Sequence, residues 1–274
     1  MFPIWDVVRL VARIQYGIVN LSPCLYTRRL VCDSGRMNTP ALPDHYKHHR
    51  FPIAIISHGV WLYFRFCLSY RDVEELLFAR GILVTYEASR KGCHKFGQES
   101  ANQRHHRRPQ PGDTWHLDEV FLTIQGERHD LWRAVDQDGH VLDILVQRRR
   151  HKAAAKKFFR KLLKGVRYVP RVMITDQRQS DGAAKRELLP GVEHRPHRSL
   201  NHRAENSHQP TRQRERRMQG FKSPGQAQRF LSAYGLISQH FRPRRHLLPA
   251  PISREEMRQR FQCWREVTSM AAVA

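Results

Sequence analysis

From residue 114 to 147 the chain reads TWHLDEVFLTIQGERHDLWRAVDQDGHVLDILVQ. Apolar and β-branched segments at about 115–124, 129–135 and 141–147 alternate with the turn signals QGE and DQDG, a pattern that fits a three-stranded antiparallel meander. Asp136 and Asp138 lie in the second turn and read as turn formers, because a short carboxylate bonds its own backbone there. The next stretch, 152–164, places Ala155, Phe158, Phe159, Leu162 and Leu163 on one face and Lys156, Lys157, Arg160, Lys161 and Lys164 largely on the other. That is a basic amphipathic helix. A short apolar strand, RVMIT, then delivers Asp176 at its C-terminal end, where ligands of open α/β sheets usually bind. GAAKRELL reads as a helix, GVEHR as a last strand, and the segment containing Glu205 as the helix after it.

Upstream the pattern is helical. Ile55, Ile56, Val60, Leu62, Tyr63 and Phe66 recur at mixed three- and four-residue spacing. Ser69 is placed to cap a second helix, YRDVEELLFARG, whose Val73, Leu76 and Leu77 share a face and which Arg80 and Gly81 close. A link, ILVTYE, leads to a basic helix, ASRKGCHKFG. Pattern alone leaves two readings open, a helix-turn-helix with its last helix in a DNA major groove or a plain helical hairpin. Residues 99–113, ESANQRHHRRPQPGD, carry prolines, a glycine and a charge run without apolar period, and are read as a linker.

The chain has 48 Lys and Arg against 25 Asp and Glu, a formal charge of +23. The cations cluster as RHHRR at 104–108, RRRHK at 148–152 and RQRERR at 212–217, which points to a phosphate-rich partner. Against that background Asp118, Asp176 and Glu205 stand out. Magnesium takes oxygen ligands and keeps several waters, so a site for two such ions needs carboxylates converging from separate elements. Spacing alone does not distinguish them from solvated or capping carboxylates. Cys24, Cys32, Cys67, Cys93 and Cys263 show no metal spacing and no disulfide density, which fits a reducing compartment. Asp6, Arg9, Arg13 and Gln15 interrupt the apolar N-terminus well short of the ~20 residues that span a bilayer, and because they fall inside the run they argue against a signal peptide.

The run from His49 to about Arg245 resembles the DDE transposases of bacterial insertion sequences, in the insertion-sequence-six family. The segments that carry the likeness are HRFPIAIISHGVWLYFRFCLSYRDVEELLFARG, WHLDEVFLTIQGERH, LWRAVDQDGHVLDILVQRRR, KKFFRKLLKG, GAAKRELLPGVEHR and RAENSHQPTRQRERRMQGF. The resemblance implies an α/β ribonuclease-H-like catalytic domain, a mixed five-stranded sheet with helices, preceded by a small all-α helix-turn-helix domain. It makes Asp118, Asp176 and Glu205 the catalytic and metal-binding triad for two Mg2+ ions, with Mn2+ able to substitute. The adjacent Glu119 becomes a bystander facing the other way. Arg90, Lys91, Lys95, Arg107, Arg108, Arg148, Arg149, Lys152, Arg203, Arg212 and Arg214 are the expected DNA contacts. Further implied are double-stranded DNA as partner, both element ends and target, a homo-oligomer in the DNA complex, and a place in the bacterial cytoplasm on the nucleoid.

The expected organisation is an upstream extension over 1–36, ending just before Met37, an end-binding domain over 37–98, a basic linker over 99–113, a catalytic domain over 114–241 and a helical tail over 242–274. His116, His194, His197, His202 and His208 surround the carboxylates but lack zinc spacing; phosphate contacts, packing or solvent are their expected roles. The family pattern is broken at Gln177 and Asp181, which stand where a Lys and a Tyr are usual, and at Ser89 and Gly92, which replace an apolar and an aromatic residue. Two other readings therefore remain: an impaired DNA-binding remnant, and a ribonuclease-H-like nuclease without strand transfer.

Overall fold

The computed structural model describes residues 46–107, 110–148, 152–176, 186–197, 200–242 and 248–269. The upstream extension, Met37, Arg108, Arg149, Gln177 and Asp181 lie outside them.

Three helices come first: α1 (Ile53–Arg65), α2 (Tyr70–Phe78) and α3 (Tyr86–His106). Helix α2 begins with a capping box, in which the Ser69 hydroxyl accepts from the Asp72 backbone N–H at 3.1 Å and the Asp72 carboxylate accepts from the Ser69 N–H at 2.8 Å. It ends in a Schellman turn. Gly81, at φ 75°, donates to Phe78 O, and Ile82 donates back to Leu77 O. Helix α3 starts behind Thr85, whose hydroxyl accepts from Ala88 N–H.

One expectation is corrected here. Most of the stretch read as a linker is helix, because α3 continues through His106 and no breaker precedes Pro109. The extra turns are held by burial of Ser100 and Ala101. Gly97 is where α3 meets α1: a Cβ built there would lie 2.6 Å from the Phe64 ring, so only glycine admits this approach.

The sheet follows: β1 (Thr114–Ile124), β2 (Glu127–Asp136), β3 (Val141–Gln147), β4 (Val172–Thr175) and β5 (Glu193–Pro196), in the order β3-β2-β1-β4-β5. The first three are antiparallel, as the turn signals required. A two-residue turn, Gln125 at φ 53° and Gly126 at φ 79°, joins β1 to β2 in the doubly left-handed geometry that matches strand twist. Strands β4 and β5 run parallel to β1. A central first strand, antiparallel to its sequence neighbour and parallel to the fourth, is the topology expected of the ribonuclease-H-like fold.

Helix α4 (Lys152–Val166) covers one face of the sheet, burying Phe158, Phe159 and Leu162 against Trp115, Leu117, Trp132 and Met173. Helices α5 (His202–Arg217) and α6 (Pro224–His240) cover the other, where Ala204, Ala227 and Leu231 meet Val120, Leu122, Leu131 and Ile144. Farther along, α6 changes partners. Its Ala233, Tyr234 and Ile237 enter the core of α1–α3, which also takes in Trp264 of α7 (Ala250–Ser269). The edge strand β3 is closed by glutamines of α6, since Gln239 accepts from Val141 N–H and Gln228 from Val146 N–H, both at 2.8 Å.

His240, at the end of α6, ties three segments together while neutral. Its Nδ1 accepts from Arg104 Nε of α3 at 3.0 Å, so Nε2 carries the proton and donates to Arg260 O of α7 at 2.9 Å. Burial, followed by the Arg104 charge, pulls its pKa down to about 4. An unfolded His takes its proton near pH 6.5, so the stabilisation is complete above that value and is lost as pH falls toward about 4. Urea unfolding of the wild type should therefore lose about 2 kcal/mol more between pH 7 and 5 than unfolding of His240→Gln.

Candidate active site

The parallel register of β1 and β4 pairs His116 with Ile174 and Leu117 with Thr175. One step further it sets Asp118 beside Asp176, the residue that follows β4. Neighbouring strands are about 4.8 Å apart, so the two backbone positions lie close together where β4 ends. Asp118 is 12% exposed and Asp176 half-buried. Thr175, just before Asp176, is fixed by its hydroxyl to His194 Nε2 of β5 at 2.9 Å.

Glu205 comes from the first turn of α5. That turn is moored to the sheet by Asn201, whose buried amide donates to Leu117 O at 2.8 Å, the carbonyl next to Asp118 in the chain. Glu205 is exposed and lies 3.1 Å from His202 Nδ1. The three carboxylates thus come from β1, the residue after β4, and α5, but their oxygens are not all within 4.8 Å of one another. Among the described residues, Asp136, Asp138 and His140 are the group that close. Those three are the β2–β3 turn, as expected. Asp136 accepts from the backbone N–H groups of Asp138 and His140 at 2.9 and 2.8 Å, and Gly139 supplies a φ of 80°.

The donor set of the three site residues is carboxylate oxygen throughout, which suits a hard divalent cation that retains water. Glu205 would join Asp118 and Asp176 by exchanging His202 for such an ion.

Behind Asp118 lies a polar group that the sequence reading missed. Counting outward from the Gln125–Gly126 turn pairs Asp118 with Arg133, and the structure has that register. Arg133 is 2% exposed, with Nη1 donating to Ser207 O and Nη2 to Thr211 Oγ1 at 2.5 Å, both on α5. Burial pulls its pKa down to about 10, against the opposing pull of Tyr234 and Asp118, so it stays charged at neutral pH. His208 fills the adjoining space, with Nε2 3.6 Å from Asp118 Oδ2. Burial first, and then the charges of Arg133 and Arg212, hold its pKa well below the ordinary imidazole value. Glu119 falls on the opposite face with Trp115 and Leu117, the face α4 covers, as strand alternation requires.

Of the expected DNA contacts, Arg90, Lys91, Lys95, Arg107, Arg148, Lys152, Arg203 and Arg212 are exposed. Arg90 pairs with Glu87 at 2.7 Å, Arg148 with Glu127 at 2.9 Å and Lys152 with Glu187 at 3.3 Å. Arg214 is a correction. It is 1% exposed, donates to Leu68 O at 2.8 Å, and its guanidinium sits 4.3 Å from the centre of the Tyr63 ring. The helical period of α5 puts its side chain inward with Ala204, His208 and Thr211, onto the α1–α2 corner, where no phosphate reaches it.

The DDE-domain family model matches residues 112–244, which spans β1 to the end of α6. The transposase for insertion sequence element IS257 in transposon Tn4003 of Staphylococcus aureus is 28% identical over 153 residues, covering 56% of this chain and 68% of that protein. The transposase for insertion sequence-like element IS431mec, from the same species, matches to the same extent. Residues 112–244 are thus a DDE domain similar to those of insertion-sequence transposases. Among solved structures, the catalytic core domain of HTLV-2 integrase in complex with magnesium matches at 14% identity and a TM-score of 0.34, over 47% of this chain and 86% of that one. A simian T-cell lymphotropic virus intasome in complex with the PP2A regulatory subunit B56 gamma matches at 14% identity and a TM-score of 0.36, over 64% and 72%. These two likenesses are too distant to carry function.

The corrected role of Arg214 has a thermodynamic signature. Arg214→Ala leaves the Leu68 carbonyl without its donor and removes the cation from between Tyr63 and Phe230. Chemical denaturation should show a loss of about 3 kcal/mol, whereas Arg212→Ala, at an exposed position, should stay within about 0.5 kcal/mol of wild type.

Proposed function

We propose that Asp118, Asp176 and Glu205 are the metal ligands of this DNA transposase and that two Mg2+ ions bind there, with Mn2+ able to replace them. The observation that supports this reading is the β1–β4 register, paired as far as Leu117 and Thr175, beyond which Asp118 follows on β1 and Asp176 just past the end of β4. Bound divalent ions would activate the attacking oxygen and stabilise the leaving one. The protein's own part is positional. Strands β1 and β4 fix two carboxylates, α5 offers the third, and Arg203 and Arg212 on exposed faces of α5 draw the DNA backbone toward them.

In the first reaction water attacks a phosphorus at the element end, and the 3′ oxygen leaves and takes up a proton. In the second that freed 3′-hydroxyl attacks a target phosphorus, loses its proton and displaces the target's own 3′ oxygen. The number of phosphodiester bonds is conserved in the joining step. Helices α1–α3 are the end-binding module, with Arg90, Lys91 and Lys95 on the exposed side of α3 available to phosphates. Holding two element ends together calls for a homo-oligomer, and the reaction belongs on the DNA of a bacterial nucleoid. No described helix is long and apolar enough to cross a membrane.

Joining of labelled element-end DNA to a target plasmid in Mg2+ tests the reading. Asp118→Asn and Asp176→Asn should each cut joining by about a thousandfold or more while end binding persists. Binding without joining in the wild type would identify the remnant instead, and cleavage without joined product the plain nuclease. Arg212→Ala should lower the slope of log affinity against log salt by about one.

A further inference from the structure

We propose that Arg133 is a positioning residue for the triad, holding the Asp118 carboxylate on one side and helix α5, which carries Glu205, on the other. This deepens the metal-site reading above and rests on it.

On the face of β2 that α5 and α6 cover, Leu131 and Val135 are apolar core residues, and Arg133 stands between them. Taking a guanidinium out of water is costly, and an apolar side chain of similar volume would pack there without that cost. A cation at this one position is explained by what it faces. Directly across the strand pair is Asp118, which stands out from the apolar Val120, Leu122 and Ile124 on the same face of β1. Opposed residues of an antiparallel pair have Cβ atoms about 5 Å apart, so the two charged side chains share one space.

The far side of the guanidinium is committed to α5. Nη1 donates to the Ser207 carbonyl and Nη2 to the Thr211 hydroxyl, two and six residues beyond Glu205 on the same helix. Because the guanidinium is planar and its donors are fixed relative to one another, bonds to α5 dictate the direction it presents to Asp118. His208, between those two acceptors on the helix, wedges against Asp118 at 3.6 Å and limits its rotation. Asn201 moors the start of the same helix at Leu117 O. Two ligands that belong to different elements are thereby set relative to one another before any ion binds. Outer groups that orient ligands commonly change metal affinity by about 10- to 100-fold when removed.

The test is Mn2+ binding to the full chain without DNA, followed by the loss of the free Mn2+ signal in electron paramagnetic resonance, with unfolding and end binding measured alongside. Asp118→Asn reports on the site itself and should weaken Mn2+ binding by about tenfold or more. Arg133→Met should weaken it by a similar factor and suppress joining while the folded protein still binds end DNA. Arg133→Lys, which keeps the charge but not the fork, should recover part of the affinity. Thr211→Val removes the Nη2 acceptor with little change of shape, and it carries the test if Arg133→Met does not fold; a severalfold loss of Mn2+ affinity is expected. If Asp118→Asn weakens Mn2+ binding but folded Arg133→Met, or Thr211→Val in its place, binds as the wild type does, the positioning role is overturned and the metal site stands. Unchanged Mn2+ binding in Asp118→Asn would overturn the metal-site reading itself.

Discussion

Helix α6 is buried on two sides, and the relation between the helical module and the sheet depends on that burial. Ala227 and Leu231 belong to the sheet core, whereas Ala233, Tyr234 and Ile237 belong to the core of α1–α3 and α7. A buried aliphatic or aromatic side chain contributes about 1.5–3 kcal/mol, so either half of the helix outweighs any single surface ion pair in the molecule. The two glutamines that close β3 add direction to this apolar attachment. They fix where α6 sits along the edge strand and at the same time remove its open backbone groups from pairing with another chain.

Helix α5 is held by different means. Its inward side is Ala204, His208, Thr211 and Arg214, mostly polar, and its anchors are hydrogen bonds: Asn201 to β1 at one end, Arg133 in the middle and Arg214 to the α1–α2 corner at the other. Arg217 adds an ion pair to Asp72, a residue of the α2 capping box, at 3.7 Å. Hydrogen bonds are directional where apolar contact is not, so this attachment fixes the rotation and height of the helix. That suits a helix whose first turn carries Glu205, the third carboxylate of the proposed metal site. It also places a single rigid element between the proposed end-binding helices and the proposed metal site.

The secondary structure was largely legible. The Gln-Gly turn and the alternating runs gave the meander, Ser69 and Gly81 gave the ends of α2, and the lysine-rich helix over 152–164 appears as α4 with its apolar face inward. The extent of α3 was not. Residues 99–106 are polar and charged, and periodicity is blind to a helix whose buried positions are Ser100 and Ala101, small residues selected by close approach to a neighbour. Arg214 failed for a related reason. In a run of arginines nothing local marks the one that turns inward, and only the Leu68 carbonyl and the rings of Tyr63 and Phe230 make its burial favourable.

By itself, then, the sequence determined the order of elements, the family, and which carboxylates stand in family surroundings, because turn chemistry, hydrophobic period and motif words are local properties of the chain. Tertiary structure decided that β1 lies between β2 and β4, so that Leu117 and Thr175, far apart in sequence, pair on parallel strands, with Asp118 and Asp176 the next residue on each side. It also decided which cations face water and which are buried as struts, Arg133 behind Asp118 and Arg214 beneath Tyr63. The physical reason is that burying a charge is governed by the partners waiting for it, and for both arginines those partners come from elements distant in the chain.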